Sequence, residues 1–306
     1  LEKGLVIRST GSWYTVFTEA GHQRLCRLRG KYRMQDIRTT NPIAVGDVVM
    51  ISMENGKETG IIEEIEDRRN FIIRKATNLS KAAHIIAANL DQALLVVTLQ
   101  NPRTSTGFMD RFLVTAEAYH LPATLVFNKF DLLDEQTISD QQKLIDCYEK
   151  IGYSCLVVSA VSGFGLDRLT ETLKDKVSLF SGHSGVGKSA LINAIDQGLN
   201  LRIGAISEYH AKGKHTTTFA EMHPLSFGGW IVDTPGIKEF GLFDLEKETL
   251  AHRFPEMRER MLHCRFANCT HRHEPGCAVK EALEAGEICE FRYNNYLNML
   301  LDNESK

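Results

Sequence analysis

Val177-Ser178-Leu179-Phe180-Ser181-Gly182-His183-Ser184-Gly185-Val186-Gly187-Lys188-Ser189 reads as an apolar strand that breaks into a glycine-rich loop, with a helix expected from Ala190 to Ile195. The loop, Gly182 to Ser189, fits the pattern G-x-x-x-x-G-K-S. Its glycines let the successive backbone N–H groups of Ser184, Gly185, Val186 and Gly187 face phosphate oxygens at a helix N-terminus, with Ala190 following. Lys188 is placed to reach β- and γ-phosphates, and the Ser189 hydroxyl to ligate Mg²⁺. A plain glycine turn is the competing reading, and the strand before the loop and the helix after it speak against that.

Downstream, Trp230-Ile231-Val232 leads into Asp233-Thr234-Pro235-Gly236. Asp233 would hold Mg²⁺ through water, and the Gly236 N–H would sense a γ-phosphate. Between the two motifs lies Lys212-Gly213-Lys214-His215-Thr216-Thr217-Thr218. A threonine there completes a Mg²⁺ shell only when γ-phosphate is present, which makes a switch. Thr217 is favoured, with Thr216 and Thr218 as alternatives, and one or two of the three start a strand. Many GTPases place a glutamine after Asp-x-x-Gly to orient water. Here that position is Ile237, which cannot. His215 is the candidate catalytic residue instead, beside Lys188 and Thr217, and a histidine that merely neighbours the phosphates is the competing reading.

Upstream, the strand Ala123 to Phe127 delivers Asn128-Lys129-Phe130-Asp131, and the strand Ser154 to Val158 delivers Ser159-Ala160. A carboxylate at Asp131 accepts two N–H donors from guanine, a pair that adenine does not offer. It therefore selects GTP by leaving a buried charge unpaired otherwise. The Lys129 stem packs along the base, Asn128 ties this loop to its neighbours, and Ser159-Ala160 brings a backbone N–H near guanine O6. Each motif is weak alone. Together, each at the end of an expected strand, they describe a GTP site. Their order is rotated, because the base-reading motifs precede the phosphate loop.

Alternating strands and helices from about residue 76 mean a parallel α/β sheet with ligands at the carboxyl ends of its strands. The strand Ala93 to Leu99 and helices over Asp110–His120, Thr137–Ile151 and Leu166–Lys174 belong to it. Residues 1 to 75 read instead as about five short strands, an OB-type barrel with a small sandwich as the competing shape. Leu5-Val6-Ile7, Trp13 to Phe17, Val45 to Ile51 and Gly60 to Ile65 are four of them, the last two joined by an Asn55-Gly56 turn. From about 242 the chain turns helical, with Ala278–Glu284 and Ile288–Leu300 as the expected helices. The expected domains are thus 1–75, 76–241 and 242–306.

In the last domain Cys264, Cys269, His271 and Cys277 form C-x₄-C-x-H-x₅-C. Three thiolates and an imidazole suit one tetrahedral structural Zn²⁺. His273 is a competing ligand and His263 a weaker one. The metal would replace a hydrophobic core too small to build. The other cysteines, Cys26, Cys147, Cys155 and Cys289, are scattered, which points to a reducing compartment rather than a disulfide framework. In the barrel, Arg24, Arg27, Arg29, Lys31, Arg33 and Arg38 lie close together with only Asp36 opposed. They make a candidate RNA-backbone site with Tyr32 available to stack, and a solvated face is the bland alternative. Arg258, Arg260, Arg265 and Arg272 offer a second, more diluted patch.

The chain has 306 residues, 43% hydrophobic and 25% charged, with a net charge of -3. That is room for two or three soluble domains and gives no global pull towards nucleic acid, so any basic surface must be local. The most apolar stretch, Ile85 to Leu99, is broken by Asn89, Asp91 and Gln92 and is too short to span a bilayer. No signal peptide is visible. Because the chain starts at Leu1, a native N-terminus ahead of it is expected. A cytoplasmic protein with no membrane partner, monomeric in solution, is the expectation.

Taken together, these residues resemble the RsgA (YjeQ) family of circularly permuted GTPases that depend on the small ribosomal subunit. The resemblance runs through the barrel, the rotated motifs, the Gly213-Lys214-His215-Thr216-Thr217-Thr218 switch and the Cys/His pattern. It implies a P-loop GTPase core between an OB-fold and a helical zinc domain. It also implies late maturation of the small ribosomal subunit, binding to that subunit and its rRNA near the decoding region, with GTPase activity stimulated there. The family supports a catalytic histidine at His215. It often has Arg where Lys212 and Lys214 stand, and lysine keeps the charge without the bidentate grip on phosphate. Two other readings stand beside it: an RNA-binding scaffold with a vestigial nucleotide site, and a GTPase with a non-ribosomal partner. The rotation also leads the Asp233–Gly236 motif within a few residues into the zinc domain. Nucleotide state is therefore expected to be read out as zinc-domain orientation.

Overall fold

The structure is a computed structural model that describes residues 1–29, 42–53, 58–75, 83–199, 220–233 and 247–304. The chain divides into two compact units. The first is built from the described residues of Leu1–Ala93, Asp167–Ser181 and Ile192–Ile237, the second from those of Leu94–Leu166, Gly182–Leu191 and Lys238–Lys306.

The first unit begins with β1 (Glu2–Ser9), β2 (Tyr14–Thr18), β3 (Gln23–Leu28), β4 (Val48–Met53) and β5 (Gly60–Ile65). Their alternating buried positions put Val6, Tyr14, Val16, Cys26, Val49, Ile51 and Ile62 in one core. Strand β1 pairs with β2, β2 with β3, β3 with β5, β5 with β4, and β4 again with β1. The sheet therefore closes, which decides for the OB-type barrel over the sandwich. Two strands were not foreseen here. β6 (Phe71–Lys75) and β7 (Ala83–Ala88) form a separate antiparallel pair.

The same unit holds α3 (Leu166–Leu173) from its second residue, β11 (Val177–Ser181), β12 (Glu221–Pro224) and β13 (Trp230–Asp233). β11 and β13 are parallel, with Leu179 opposite Val232. β12 is antiparallel to β13 and meets barrel strand β1 on its other side, with Arg8 opposite Glu221. β12 lies just downstream of Thr216–Thr218, where one or two threonines were expected to start a strand, and it ends at Pro224.

The second unit contains most of β8 (Gln92–Val97), then α1 (Thr106–Ala118), β9 (Ala123–Phe127), α2 (Glu135–Lys150), β10 (Ser154–Val157) and α4 (Lys188–Ile195), whose last residues belong to the first unit. β8, β9 and β10 are neighbours, and β9 and β10 run parallel with Leu125 opposite Cys155. Every residue of β8 is buried, as parallel strands covered on both faces require. Ser105 caps α1 by accepting from the Phe108 N–H, and Asp134 caps α2 by accepting from the Thr137 N–H. The unit ends in α5 (Lys247–Leu250), α6 (Pro255–Arg258), α7 (Ala278–Glu284) and α8 (Glu290–Glu304). Leu250, Phe254, Met257, Val279, Ile288, Tyr296 and Met299 pack there with Val114 of α1. Among the described residues, no helix is long and apolar enough to cross a membrane.

Two cysteines read as scattered are not. Cys147 of α2 and Cys289, just ahead of α8, form a disulfide across 142 residues of sequence, with Cα atoms 6.5 Å apart.

Candidate nucleotide and metal sites

The phosphate loop leaves the end of β11 and enters α4 at Lys188, as its sequence predicts. Gly182, Gly185 and Gly187 all have positive φ. At Gly187, where φ is 94, a Cβ would lie 2.4 Å from Asn128 Nδ2, so a larger residue would be strained in its backbone and would push that side chain aside. Asn128 belongs to the Asn128-Lys129-Phe130-Asp131 motif. Asn128 Nδ2 donates to the Val186 carbonyl at 2.8 Å, and Lys129 Nζ donates to the Gly185 carbonyl at 2.7 Å and to that of Asn101. Lys129 itself takes φ 64, which turns the chain sharply into Phe130 and Asp131. The Ser159 hydroxyl donates to Asp131 Oδ1 and accepts from the Ser162 N–H at 3.0 Å. Phosphate loop, Asn128-Lys129-Phe130-Asp131 and Ser159 are therefore tied into one array, with Ala160 next to Ser159.

Lys188 Nζ donates to the carbonyls of Gly182 at 2.6 Å and His183 at 2.9 Å, which holds the ammonium over its own loop. Ser189 is buried at the first turn of α4, and Ala190 is half-buried after it. The Asp131 carboxylate is exposed in this structure. Asp233 ends β13 in the first unit. Gly236, His215 and Thr217, with Thr216 and Thr218, lie outside the described residues.

Two aromatic contacts escaped the sequence reading. Phe130 stacks on Phe164 beside the base-reading loops, with centroids 4.9 Å apart. Phe108 of α1 stacks on His183 of the phosphate loop at 3.8 Å. Neither pair has a spacing signature.

In the helical region the ligand atoms of Cys264, Cys269, His271 and Cys277 lie within 4.8 Å of one another. Neither His273 nor His263 joins that group among the described residues. His271 Nδ1 is 3.6 Å from Cys264 Sγ and 3.4 Å from Cys277 Sγ. Tetrahedral Zn²⁺, with bonds of about 2.3 Å to sulfur and about 2.0 Å to nitrogen, separates N and S by about 3.5 Å. The donor set and its spacing fit zinc. Burial lowers the His271 pKa, so the imidazole is neutral and ready to ligate. Burial pushes the Cys269 thiol up to about 12. A metal must therefore displace a proton there.

His271 takes φ 59, and its neighbours fix that kink. The Tyr293 hydroxyl donates to the His271 carbonyl at 2.6 Å, and the Tyr296 hydroxyl to the Thr270 carbonyl at 2.7 Å. Glu274 accepts from the Thr270 N–H and hydroxyl and from the Arg272 N–H. Burial would raise its pKa, yet these hydrogen bonds hold it well below the usual carboxylate range.

The basic patches are less open than their charge count implied. Arg29 pairs with Glu63, Arg24 is half-buried, Arg27 is exposed, and Lys31, Arg33 and Arg38 lie outside the described residues. Near the metal cluster Arg258 pairs with Glu117 at 3.1 Å and Arg260 with Glu287 at 2.8 Å, while Arg265 lies over the Phe266 ring. Those ion pairs commit much of the second patch to folding interactions.

Residues 65–243 match the family model for the RsgA GTPase, and residues 3–62 match that for the RsgA N-terminal domain. The chain belongs to the RsgA GTPase family. Relatives named small ribosomal subunit biogenesis GTPase RsgA include that of Phocaeicola vulgatus, 56% identical with 99% of this chain and 97% of the relative covered. That of Flavobacterium johnsoniae is 52% identical, with 98% and 93% covered. Among solved structures, YjeQ from Thermotoga maritima superposes with a TM-score of 0.83 at 39% identity, covering 100% of this chain and 99% of that one. YloQ, described as a circularly permuted GTPase, gives 0.74 at 31% identity, with 99% and 95% covered. RsgA-family membership and these neighbours establish the permuted GTPase fold behind an N-terminal barrel, and make the family's chemistry that of a GTP hydrolase that works with Mg²⁺.

Proposed function

We propose that this chain hydrolyses GTP to GDP and phosphate while bound to the small ribosomal subunit, as a late-stage assembly factor whose nucleotide state controls binding and release. The observation that carries the reading is the joining of the phosphate loop to the base-reading motif through Asn128–Val186 and Lys129–Gly185. A vestigial site would have no reason to keep both clamps. The backbone of Gly182 to Ser189, with Ala190, cradles the phosphates, Lys188 neutralises them, and Asn128, Lys129, Asp131, Ser159 and Ala160 read guanine. Ser189, Thr217 and Asp233 hold Mg²⁺, which when bound draws charge from the β- and γ-phosphate oxygens. Gly236 senses the γ-phosphate, and His215 positions the attacking water. The domains follow as 1–75 for the RNA-binding barrel, 76–241 for the GTPase and 242–306 for the zinc domain. Arg24, Arg27, Arg29, Lys31, Arg33 and Arg38 meet rRNA. The protein works as a monomer in the cytoplasm.

GTP turnover with and without purified small subunits tests this. Stimulation by the subunit is expected, and its absence would overturn the ribosomal reading. Turnover under neither condition would favour a scaffold. His215→Ala is expected to lower the stimulated rate by about 10²-fold or more while leaving GDP affinity intact. An unchanged stimulated rate removes His215 from the chemistry.

Cys264, Cys269, His271 and Cys277 hold one structural Zn²⁺. Titration of the stripped protein should show one ion per chain, with protons released on binding. Because burial raises the Cys269 thiol, protons compete with the metal, so apparent affinity should rise with pH through the neutral range. Loss of an outer partner typically costs about 10–100-fold in metal affinity, so Cys277→Ser should cost at least about 100-fold. A flat pH dependence would count against thiolate ligation.

A further inference from the structure

Helix α1 touches two places that the sequence keeps far apart. Phe108, in its first turn, stacks on His183 of the phosphate loop with an interplanar angle of 29°. Asp110, two residues on, is fully buried and accepts from Arg292 Nη1 at 2.6 Å, from Asn295 Nδ2 at 2.6 Å and from the Tyr148 hydroxyl at 2.8 Å. At 3.6 residues per turn, two positions differ by about 200° around a helix. The two side chains therefore leave opposite sides of α1, one towards the phosphate loop and one towards α8. At Gly107 a Cβ would already lie 3.4 Å from Asn295 Oδ1, so α8 runs close against α1.

The line of contacts continues along α8. Arg292 and Asn295 grip Asp110, while Tyr293 and Tyr296 hold the carbonyls of His271 and Thr270. Arg292, Asp110, Tyr293 and Tyr296 are all buried. The phosphate loop is thus linked to the Cys264–Cys277 cluster by a short series of packed or hydrogen-bonded side chains inside one compact unit.

We propose that Phe108 is a positioning residue of the phosphate loop and that α1 and α8 couple phosphate occupancy to the metal cluster. An anion drawn into the loop aligns its backbone N–H groups, and the His183 segment moves with them. The stacked ring passes that preference to α1, and Asp110 passes it to α8. By linkage, nucleotide must stabilise the metal-bound cluster by the same factor by which the metal-bound cluster favours nucleotide. The proposal rests on the reading of Gly182–Ser189 as a nucleotide-phosphate loop. It places the route to the metal cluster through α1, rather than through the chain that follows Asp233.

The test uses the full zinc-loaded chain and follows zinc transfer to a chromogenic chelator with and without saturating GDP and Mg²⁺. With transfer followed to equilibrium, GDP is expected to reduce zinc loss by raising the apparent zinc affinity roughly fivefold or more. Phe108→Ala should keep its zinc content, weaken GDP binding roughly three- to tenfold, and lose the GDP effect on zinc loss even at saturation. Phe108→Tyr keeps the ring and should restore both. Equal zinc loss with and without bound GDP in the parent overturns the coupling, as does a GDP effect that survives in Phe108→Ala. If the parent binds no GDP, the nucleotide reading fails and takes the coupling with it, so the two failures are distinguishable.

Discussion

Asp131→Asn is expected to change which purine nucleotide the protein binds, with selectivity for GTP over xanthosine triphosphate falling by about 10³-fold or more. Guanine presents N–H donors at N1 and at the exocyclic amine, and a carboxylate accepts both. An asparagine amide sets its own N–H₂ against one of them, so donor meets donor. Xanthine carries a carbonyl in place of the amine and accepts from that same N–H₂. The side chain is pre-aimed for this role. Ser159 holds Asp131 Oδ1, and Lys129, locked in a left-handed backbone conformation, fixes the turn that presents it. Because Asp131 is exposed before the base arrives, the substitution should leave the free protein's stability nearly unchanged, with an effect confined to binding. Competition between a fluorescent guanine nucleotide and unlabelled GTP or xanthosine triphosphate reads the change. Unaltered GTP selectivity would remove Asp131 from base recognition.

The residues around that site were legible because their chemistry constrains both type and spacing. A phosphate loop needs glycine where φ is positive, and Gly182, Gly185 and Gly187 take such values. Four metal ligands must converge on one point, and among the described residues Cys264, Cys269, His271 and Cys277 do so. Spacing favoured His271 over His273, but the physical reason that the choice holds was not legible. It depends on a backbone kink that Tyr293 and Tyr296 secure from more than 20 residues downstream in sequence, at separations of 22 and 26. Phe108 was invisible for a similar reason. A half-buried phenylalanine on an amphipathic helix is ordinary core until the loop beside it is known.

Length alone did not decide which strands were legible: the four-residue β10 and β13 were found, and β6 and β7, of five and six residues, were missed. The barrel strands alternate over five to eight residues, and closure from β4 back to β1 followed from nothing that local pattern contains. β12 is four residues ending in proline, and only its partners β13 and β1 make it a strand. Cys147 of α2 and Cys289, just ahead of α8, are 142 apart in sequence, beyond the reach of any spacing rule. The burial of Arg292 is not legible in the sequence, because a charge in a helix is by default a solvated one.

That arginine carries the other large effect. Arg292→Ala is expected to destabilise the second unit by about 3–5 kcal/mol. Arg292 and Asp110 are essentially inaccessible, and Glu256 is 3% exposed in its side chain. Burial alone would push the guanidinium pKa down, but Asp110 and Glu256 together carry it above its ordinary value, so the charge is kept. Nε and Nη2 donate to the two Glu256 oxygens at 2.8 and 3.1 Å, Nη1 donates to Asp110, and the Phe254 ring lies 4.6 Å below. Truncation leaves two carboxylates buried without their cation, and that uncompensated charge, more than the missing packing, sets the size of the effect. Arg292→Lys should recover little, since one ammonium cannot reproduce a planar fork facing two carboxylates. Replacing all three groups together, Arg292→Leu with Asp110→Asn and Glu256→Gln, should recover most of the stability, because no unpaired charge then remains. Urea unfolding followed by far-UV circular dichroism, with zinc content measured on each variant, separates these outcomes. An alanine variant within about 1 kcal/mol of the parent would show that water already reaches the cluster and that α8 is held to α1 by its apolar face alone.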